Sequence, residues 1–588
     1  MSLLPSEIYH IIFDYFWAHE ILYSFCGIND YIDNILLNYQ NYKINGKSIR
    51  KSHFDLLCRI QPNQVISLIL SDDSYTPNQS QLFRSLVSIE QFTRLRSLKL
   101  IELDDDGASF FSDLYKLKHL VSLEINLKDK LPFIKTSPPL QRLIINIESG
   151  VHYDIDPLIT MIQSEHLRQL TLSNCSCSKL QQIFHRAIHL ISLKISLMFT
   201  DAKEMAILIN FHQEQSKIIA LKSLSLSIEG YGDTITRAHL EGFLTPLKCL
   251  RKLELIISCF IEPECYDANQ WEIFIIKNLS RLMTFNFNFS HVRIDKNVLN
   301  QYRHPFWMNK CWFVATDESY SSIYSVPHFS STSIKYSSIP ISSKYTTLPI
   351  DQHITCYDRV TQLEYDSGRR KALHRYNYIE KIYLTNLNID KNAINLSKVK
   401  SLIVKNAQWT FSKILILIKE AMPSVNYLSL NCPHPSLGTG NLPDISLKQI
   451  KTLVLPKYAE FLDDDYFVWS LYFPCVERLV VTINSKNQIP FLIDEFGSMV
   501  SGFFHVDSCL IGTKKPIKMT CKWLIKYTHR LTDRNPNDFV CQINDQYFFS
   551  VCLWIADDDD DDIFFDENKE MICNSKWWNK CFAQNSMT

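Results

Sequence analysis

The stretch LRSLKL, residues 95–100, decides the fold because its L-x-x-L-x-L phrase returns along most of the chain. A first series of related phrases starts at Val65, Leu95, Leu120, Leu140, Leu167, Leu190, Leu221, Leu250 and Leu282. A second series starts at Val360, Ile379, Val399, Val425, Ile450 and Val476. Within each series the phrases lie 19 to 32 residues apart. Each phrase predicts a short strand, and a repeat of this period must stack on its neighbours to bury its apolar side.

The segments between the phrases predict helices. In the clearest one, Leu180, Ile183 and Phe184 share a face, and Ser178 is a candidate N-cap. We expect helices over 178–190, 201–209, 236–247 and 410–422. Strand and helix alternating at this period predict an α/β fold, a leucine-rich-repeat solenoid. The Asn or Cys that usually follows the strand is clear only at Cys175, so we expect an irregular horseshoe.

The pattern changes at both ends and once in the middle. Residues 3–40 carry three apolar sets at helical spacing, which predict a small three-helix module. Residues 291–359 interrupt the repeat with a Ser- and Tyr-rich stretch that we expect to be ordered but irregular. The predicted organisation is a helical module at 1–45, repeat series at 46–290 and 360–485 around the insertion at 291–359, a capping region at 486–556 and an acidic flexible tail at 557–588.

Composition limits the partners and the compartment. The chain has 588 residues, with 61 basic and 62 acidic side chains and a formal net charge of −1. No global field therefore favours nucleic acid or an anionic membrane. No apolar run approaches the length of a membrane span, and the first residues do not resemble a secretory signal. The 17 cysteines are expected to be reduced, in a protein of the cytoplasm, the nucleus or both.

Motifs that carry chemistry are missing. The sequence lacks the glycine-rich phosphate loops, the nucleophile elbow and the H-E-x-x-H zinc motif. His185 and His189 lie four residues apart on a predicted helix, but no third ligand accompanies them, and Cys175 and Cys177 have no second pair. We expect no catalytic residue, no cofactor and no metal. The chain is predicted not to be an enzyme.

The strand positions that flank the central leucine are expected to form the concave face. The candidate substrate-face residues are Lys99, Glu124, Arg142, Thr171, Lys194, Ser225 and Glu254. Their charges are mixed and several are small and polar, which suits a protein or peptide partner better than a phosphate polymer. An inert, solvated face is the alternative for any one of them.

The first 36 residues resemble an F-box. The stretch LLPSEIYHIIFDYFWAHEILYSF contains the Leu-Pro-x-Glu-Ile opening at 4–8 and the Glu-Ile-Leu step at 20–22. With the repeats downstream, the chain is similar to the F-box/leucine-rich-repeat family, in a divergent branch with irregular repeats. The late tryptophan common in F-boxes is missing, and Ile32 or Ile35 stands nearby.

The resemblance implies a partner and a role. In that family the F-box binds the Skp adaptor of a cullin–RING ubiquitin ligase, and the repeats hold a protein substrate. Carried over by position, the adaptor-binding residues are Leu4, Pro5, Ile8, Ile12, Phe16 and Leu22. The expected function is that of a non-catalytic substrate receptor. The alternative is a leucine-rich-repeat interaction scaffold without a ubiquitin-ligase role, whose first helices only cap the repeats.

Overall fold

The structure is a computed structural model of the full chain. The residues it describes are 4–58, 60–103, 111, 113–127, 139–147, 165–199, 220–230, 234–292, 295, 297–316, 321–330, 332–335, 345–349, 359–365, 376–385, 389, 394–406, 408–430, 444–455, 469–483, 485–506, 520–532, 539–544 and 550–556.

The described helices are short, and most of them stand between two strands. They are α1 (Ser6–Phe13), α2 (Ala18–Phe25), α3 (Asp30–Asn38), α4 (Lys51–Leu57), α5 (Gln79–Leu86), α6 (Cys177–Arg186), α7 (Arg237–Leu244), α8 (Ala268–Asn278), α9 (Val298–Gln301), α10 (Pro305–Asn309), α11 (Phe411–Ala421), α12 (Trp469–Tyr472), α13 (Gln488–Glu495), α14 (Cys521–Tyr527) and α15 (His529–Thr532). Short 3-10 turns cover Pro62–Gln64, Ile89–Gln91, Leu114–Lys116, Pro263–Tyr266 and Leu396–Lys398.

The strands follow the repeat. They are β1 (Tyr42–Asn45), β2 (Val65–Ser71), β3 (Ser97–Ile101), β4 (Ser122–Leu127), β5 (Arg142–Ile147), β6 (Gln169–Cys175), β7 (Ser192–Phe199), β8 (Ser223–Gly230), β9 (Thr234–Ile235), β10 (Lys252–Ile257), β11 (Phe260–Ile261), β12 (Thr284–Ser290), β13 (Phe313–Thr316), β14 (Ser322–Val326), β15 (Ser333–Lys335), β16 (Gln362–Tyr365), β17 (Lys381–Leu384), β18 (Ser401–Val404), β19 (Tyr427–Leu430), β20 (Thr452–Leu455), β21 (Arg478–Ile483), β22 (Ser501–Val506), β23 (Phe539–Asn544) and β24 (Ser550–Ile555).

The repeated phrase explains these strands. In every phrase after the one at Val65, the strand begins at the third residue, as Ser97 does in LRSLKL. The leucine before the strand and the alternate residues within it are buried, as Leu95, Leu98 and Leu100 are. The predicted α/β class is thus confirmed, and the structure adds that the strands form large, mainly parallel sheets. The solenoid stays a prediction.

The chain divides into two compact units. Unit 1 lies within 1–107, 116–120 and 407–588, and unit 2 lies within 108–115 and 121–406. The linear domain boundaries predicted above are not tested by this division and stay predictions.

Unit 1 joins the two ends of the chain. Its first strands pair in parallel in the order β1-β2-β3, and its later strands pair in parallel in the order β19-β20-β21-β22. Two antiparallel strands close the later set in the order β22-β24-β23. The Trp554 indole N–H donates to the carbonyl of Ile49 at 2.9 Å, and its ring lies 5.3 Å from that of Phe54. Segments about 500 residues apart therefore share one core.

Unit 2 contains the longest run of parallel strands, β4-β5-β6-β7-β8-β10-β12. The antiparallel strands β14 and β13 follow β12. A second parallel set runs β15-β16-β17-β18. The stretch at 291–359, expected to be irregular, thus contributes α9, α10 and three strands in its described part.

Local details correct some sequence predictions. The N-cap of α6 is Ser176, whose hydroxyl accepts from the Lys179 N–H, and not Ser178. Strand β22, which the repeated phrase did not predict, pairs in parallel with β21 within the predicted capping region at 486–556. The expected helix at 201–209 and the acidic tail lie outside the described residues.

Candidate interaction surfaces

The first helix exposes large apolar side chains in an unusual number. We use "apolar surface" for Leu4, Ile8, Ile11, Tyr15 and Phe16, which lie along α1 and just beyond its ends. Their exposed fractions run from 39% at Ile8 to 84% at Tyr15. Spacings of three and four residues align such side chains along one side of a helix. Exposed apolar groups of this size, held close together, are typical of a surface that binds a partner.

A ring cluster on the opposite side of α1 fixes this helix. The Phe13 ring lies 5.1 Å from that of Phe25 and 5.3 Å from that of Tyr39, and Phe13 is fully buried. The Tyr39 hydroxyl donates to an Asp14 carboxyl oxygen at 2.7 Å. Burial, followed by the hydrogen bond to Asp14, raises the pKa of Tyr39. The phenol therefore keeps its proton and its bond.

Loop contacts hold the ends of the three helices. The Tyr31 hydroxyl donates to the Leu4 carbonyl at 3.0 Å, and the Gly27 N–H donates to the Asp33 carboxylate at 2.9 Å. Gly27 has a φ of +78°, a conformation that glycine adopts without strain. The start of α1 is therefore tied to α3, and the apolar surface is presented by an ordered frame.

The predicted adaptor-binding residues separate into two groups. Leu4, Pro5, Ile8 and Phe16 are exposed and Ile12 is half-buried, whereas Leu22 is only 5% exposed. Leu22 lies on the side of α2 that also buries Ala18 and Ile21. It belongs to the core and is not on the surface where its predicted role would place it.

Other exposed apolar residues were absent from the predicted set. Within residues 4–38, they are Ile11, Tyr15, Tyr23 and Ile28. The signal was present in the sequence, because Tyr9 and Phe13 form a second apolar pair four residues apart. One short helix with apolar residues on two sides buries one side internally and leaves the other available.

Most of the predicted substrate-face residues form a row across the unit 2 sheet. Strand register aligns Glu124, Ile144, Thr171, Lys194, Ser225 and Glu254. We call the five polar members of this set the polar row; Ile144 lies between Glu124 and Thr171. Arg142 stands two positions earlier on β5, in the neighbouring row. Lys99 lies on β3 in unit 1, where it aligns with Ile69.

At one end of the polar row, the carboxylate of Glu254 has hydrogen-bond partners within the protein. Glu254 accepts from the Ser225 hydroxyl at 2.7 Å and lies 2.7 Å from His328 Nε2. Burial raises the pKa of Glu254, but the bonds to Ser225 and His328 outweigh it and leave the pKa below its usual value. His328 was not predicted as a site residue, since it comes from a loop 74 residues away in sequence.

Several classes of site lack support in the described part of the chain. No group of three or more His, Cys, Asp or Glu side chains there could hold a metal ion. None of the helices in that part is long and apolar enough to cross a membrane. Comparison of the sequence with protein-family models and with curated proteins found no match.

Proposed function

We propose that this chain is the substrate-recognition subunit of a Skp–cullin–F-box ubiquitin ligase. In this proposal the strands and helices form a leucine-rich-repeat solenoid, and helices α1–α3 form an F-box that binds the Skp adaptor. The chain would not catalyse a reaction. It would hold a protein substrate near the ubiquitin-charged enzyme and raise the local concentration of acceptor lysines, in the cytoplasm or nucleus.

The apolar surface on α1 is the observation that carries the proposal. Four of the six adaptor-binding residues expected from the F-box-like pattern are exposed, and Ile11 and Tyr15 add to the same helix. Full burial of a large apolar side chain contributes about 1.5–3 kcal/mol, so several partly exposed ones can drive a stable association. A helix so placed suits a hydrophobic groove on a partner.

The polar row supports the substrate half of the proposal. Its residues come from neighbouring strands in register, so they provide one continuous patch of mixed charge. Such a patch recognises a protein by complementary hydrogen bonds and charges rather than by a phosphate backbone. Arg142, in the neighbouring row, would extend it, and Lys99 would make a separate contact from unit 1.

The second candidate is an interaction scaffold without a ubiquitin role. It is favoured by the way α2 buries Ala18, Ile21 and Leu22, as a helix that caps the repeats would do. That role accounts for the buried side of the module but leaves the apolar surface without a purpose.

A binding measurement separates the two candidates. Purified Skp adaptor is immobilised and the full chain is passed over it, as wild type and as an Ile8→Asp/Ile11→Asp variant. We expect capture by the wild type and at least about 100-fold weaker binding by the variant, since apolar anchors at interface centres carry 2 kcal/mol or more.

The matched control is Ile273→Asp/Ile276→Asp on α8, two isoleucines that are also three residues apart and exposed at 62% and 60%. It should bind the adaptor as the wild type does. A well-folded wild-type chain that captures no adaptor would exclude the ligase role and leave the scaffold. Thermal unfolding of each variant shows that a lost signal is not lost folding.

A further inference from the structure

A polar cavity lies within unit 1, at the junction of the amino-terminal and carboxy-terminal segments. Its volume is about 300 Å³, at the lower end of the range for small-molecule sites. Residues 45–50 form one wall and the first residues of β21 and β22 form another. The Arg478 guanidinium donates to the Ser48 carbonyl at 2.7 Å and so joins the two walls.

The cavity wall carries more positive than negative charge. Lys47, Arg50 and Arg478 line it with one carboxylate, Glu477, which gives a net charge of +2 with the histidines neutral. Glu477 pairs with Arg50 at 2.9 Å and with Lys451 at 2.8 Å. That carboxylate is therefore already shared by two cations.

The other two cations lack a carboxylate partner among the described residues. Among the described residues, the Arg478 guanidinium donates to the Ser48 carbonyl and lies over the Tyr75 ring, whose centroid is 5.1 Å away. The Lys47 ammonium is exposed and makes no ion pair within the described part of the chain. A concave site with two unneutralised charges of one sign attracts an anion.

Two histidine rings from α2 and α4 also line the cavity. His19 Nδ1 has no partner in the described structure, and the His19 ring stacks on His53 at 5.6 Å between centroids.

We propose that this cavity binds a phosphate group, as inorganic phosphate or as a phosphate monoester. A phosphate dianion matches the net charge of +2, and guanidinium groups form paired hydrogen bonds to its oxygens. Arg478 and Lys47 hold the anion. The site goes beyond the proposed ligase function and does not depend on it.

The test is calorimetric titration of the full chain with sodium phosphate, at an ionic strength kept constant with sodium chloride. We expect saturable binding of one phosphate per chain. Arg478→Gln and Lys47→Glu should each weaken it roughly tenfold or more, as loss of a hydrogen bond to a charged group does. Lys448→Glu changes an exposed lysine of unit 1 that does not line the cavity, and this variant should bind as the wild type does.

Two results would overturn the proposal. One is heat that follows ionic strength without saturation, and the other is an equal loss in the Lys448→Glu variant. Because Arg478 also bonds to Ser48, its variant is checked for an unchanged unfolding temperature without phosphate. If that temperature falls, Lys47→Glu decides the matter, since its side chain has no ion pair to lose within the described residues.

The same titration distinguishes the sources of the phosphate. Glycerol 3-phosphate represents a small metabolite and a phosphoserine tripeptide represents a modified protein. Both carry the proposed group, so both should compete with inorganic phosphate. The tighter of the two identifies the source, and failure of both to compete contradicts a site for phosphate monoesters.

Discussion

The amino-terminal helices and the polar row of unit 2 differ in the side chains that they expose to solvent. Along each strand that contributes to the row, more exposed residues alternate with buried ones. Glu254 has hydrogen-bond partners in Ser225 and His328. The helix α1 buries Phe13 but leaves Ile8 and Ile11 in water. A strand can place polar side chains on its solvent-facing side, where water and neighbouring residues form hydrogen bonds with them. A short helix with two apolar sides needs another molecule to cover one of them.

The largest effect on the free energy of unfolding is expected from one of two phenylalanine substitutions that test this contrast. Phe13 is fully buried and Phe16 is 42% exposed. Phe13→Ala should lower the free energy of unfolding of unit 1 by about 3–5 kcal/mol, since it leaves a cavity among packed rings. Phe16→Ala should change it by less than about 1 kcal/mol and weaken adaptor capture instead. Denaturant unfolding and adaptor binding, measured side by side, would break the comparison if the two variants behaved alike.

The pKa of Glu495, a carboxyl group in unit 1, is shifted in the opposite direction to that of Glu254. Burial raises the pKa of Glu495 to about 7, although backbone N–H groups of Ser470 and Trp469 partly lower it. Because the folded state holds this proton more tightly than the unfolded state, the stability that Glu495 contributes is lost as pH rises from about 4.5 through 7.

The measurement for Glu495 is the free energy of unfolding between pH 5 and 8.5. The wild type should lose about 2–3 kcal/mol relative to Glu495→Gln over this range. The amide keeps an oxygen for the Ser470 N–H but carries no charge. Parallel pH profiles for the two proteins would show that Glu495 titrates normally.

The smallest effect is expected at Glu254. Glu254→Gln should lower the free energy of unfolding by about 1–2 kcal/mol at pH 7, since it weakens hydrogen bonds to a charged acceptor. The pKa of Glu254 is lowered, so the wild-type advantage is present above about pH 4.5 and disappears as pH falls through the folded pKa. Glu229→Gln, an exposed residue of β8, is the control and should show neither effect.

The strands of the repeat could be predicted because each one carries a copy of the phrase in its own local sequence. The phrase LVSLEI places Leu123 and Ile125 inside, and the structure buries both. The phrase did not predict strand β22, because its sequence, SGFFHV, has no leucine. Gly502 stands at the position that Leu479 occupies in β21. The position of β22 follows instead from pairing with β21 along six residues, a contact that a local pattern does not encode.

The candidate sites were less predictable than the strands. The apolar residues of α1 were recognised, but the pattern did not tell which side Tyr9 and Phe13 would bury, because that depends on rings brought from α2 and α3. The cavity of unit 1 could not be predicted, since Ser48 and Arg478 are 430 residues apart in sequence. A single sequence carries no signal for such a pair.

The bond from Trp554 to Ile49 also has a consequence for biosynthesis. A ribosome adds roughly 5–20 residues per second, so about 25–100 s pass between the synthesis of Phe54 and that of its ring partner Trp554. The residues of unit 2 are synthesised during this interval, and α4 lacks the packing of the Trp554 ring until it ends. A chain truncated before Trp554 would therefore leave α4 without the ring that packs against Phe54.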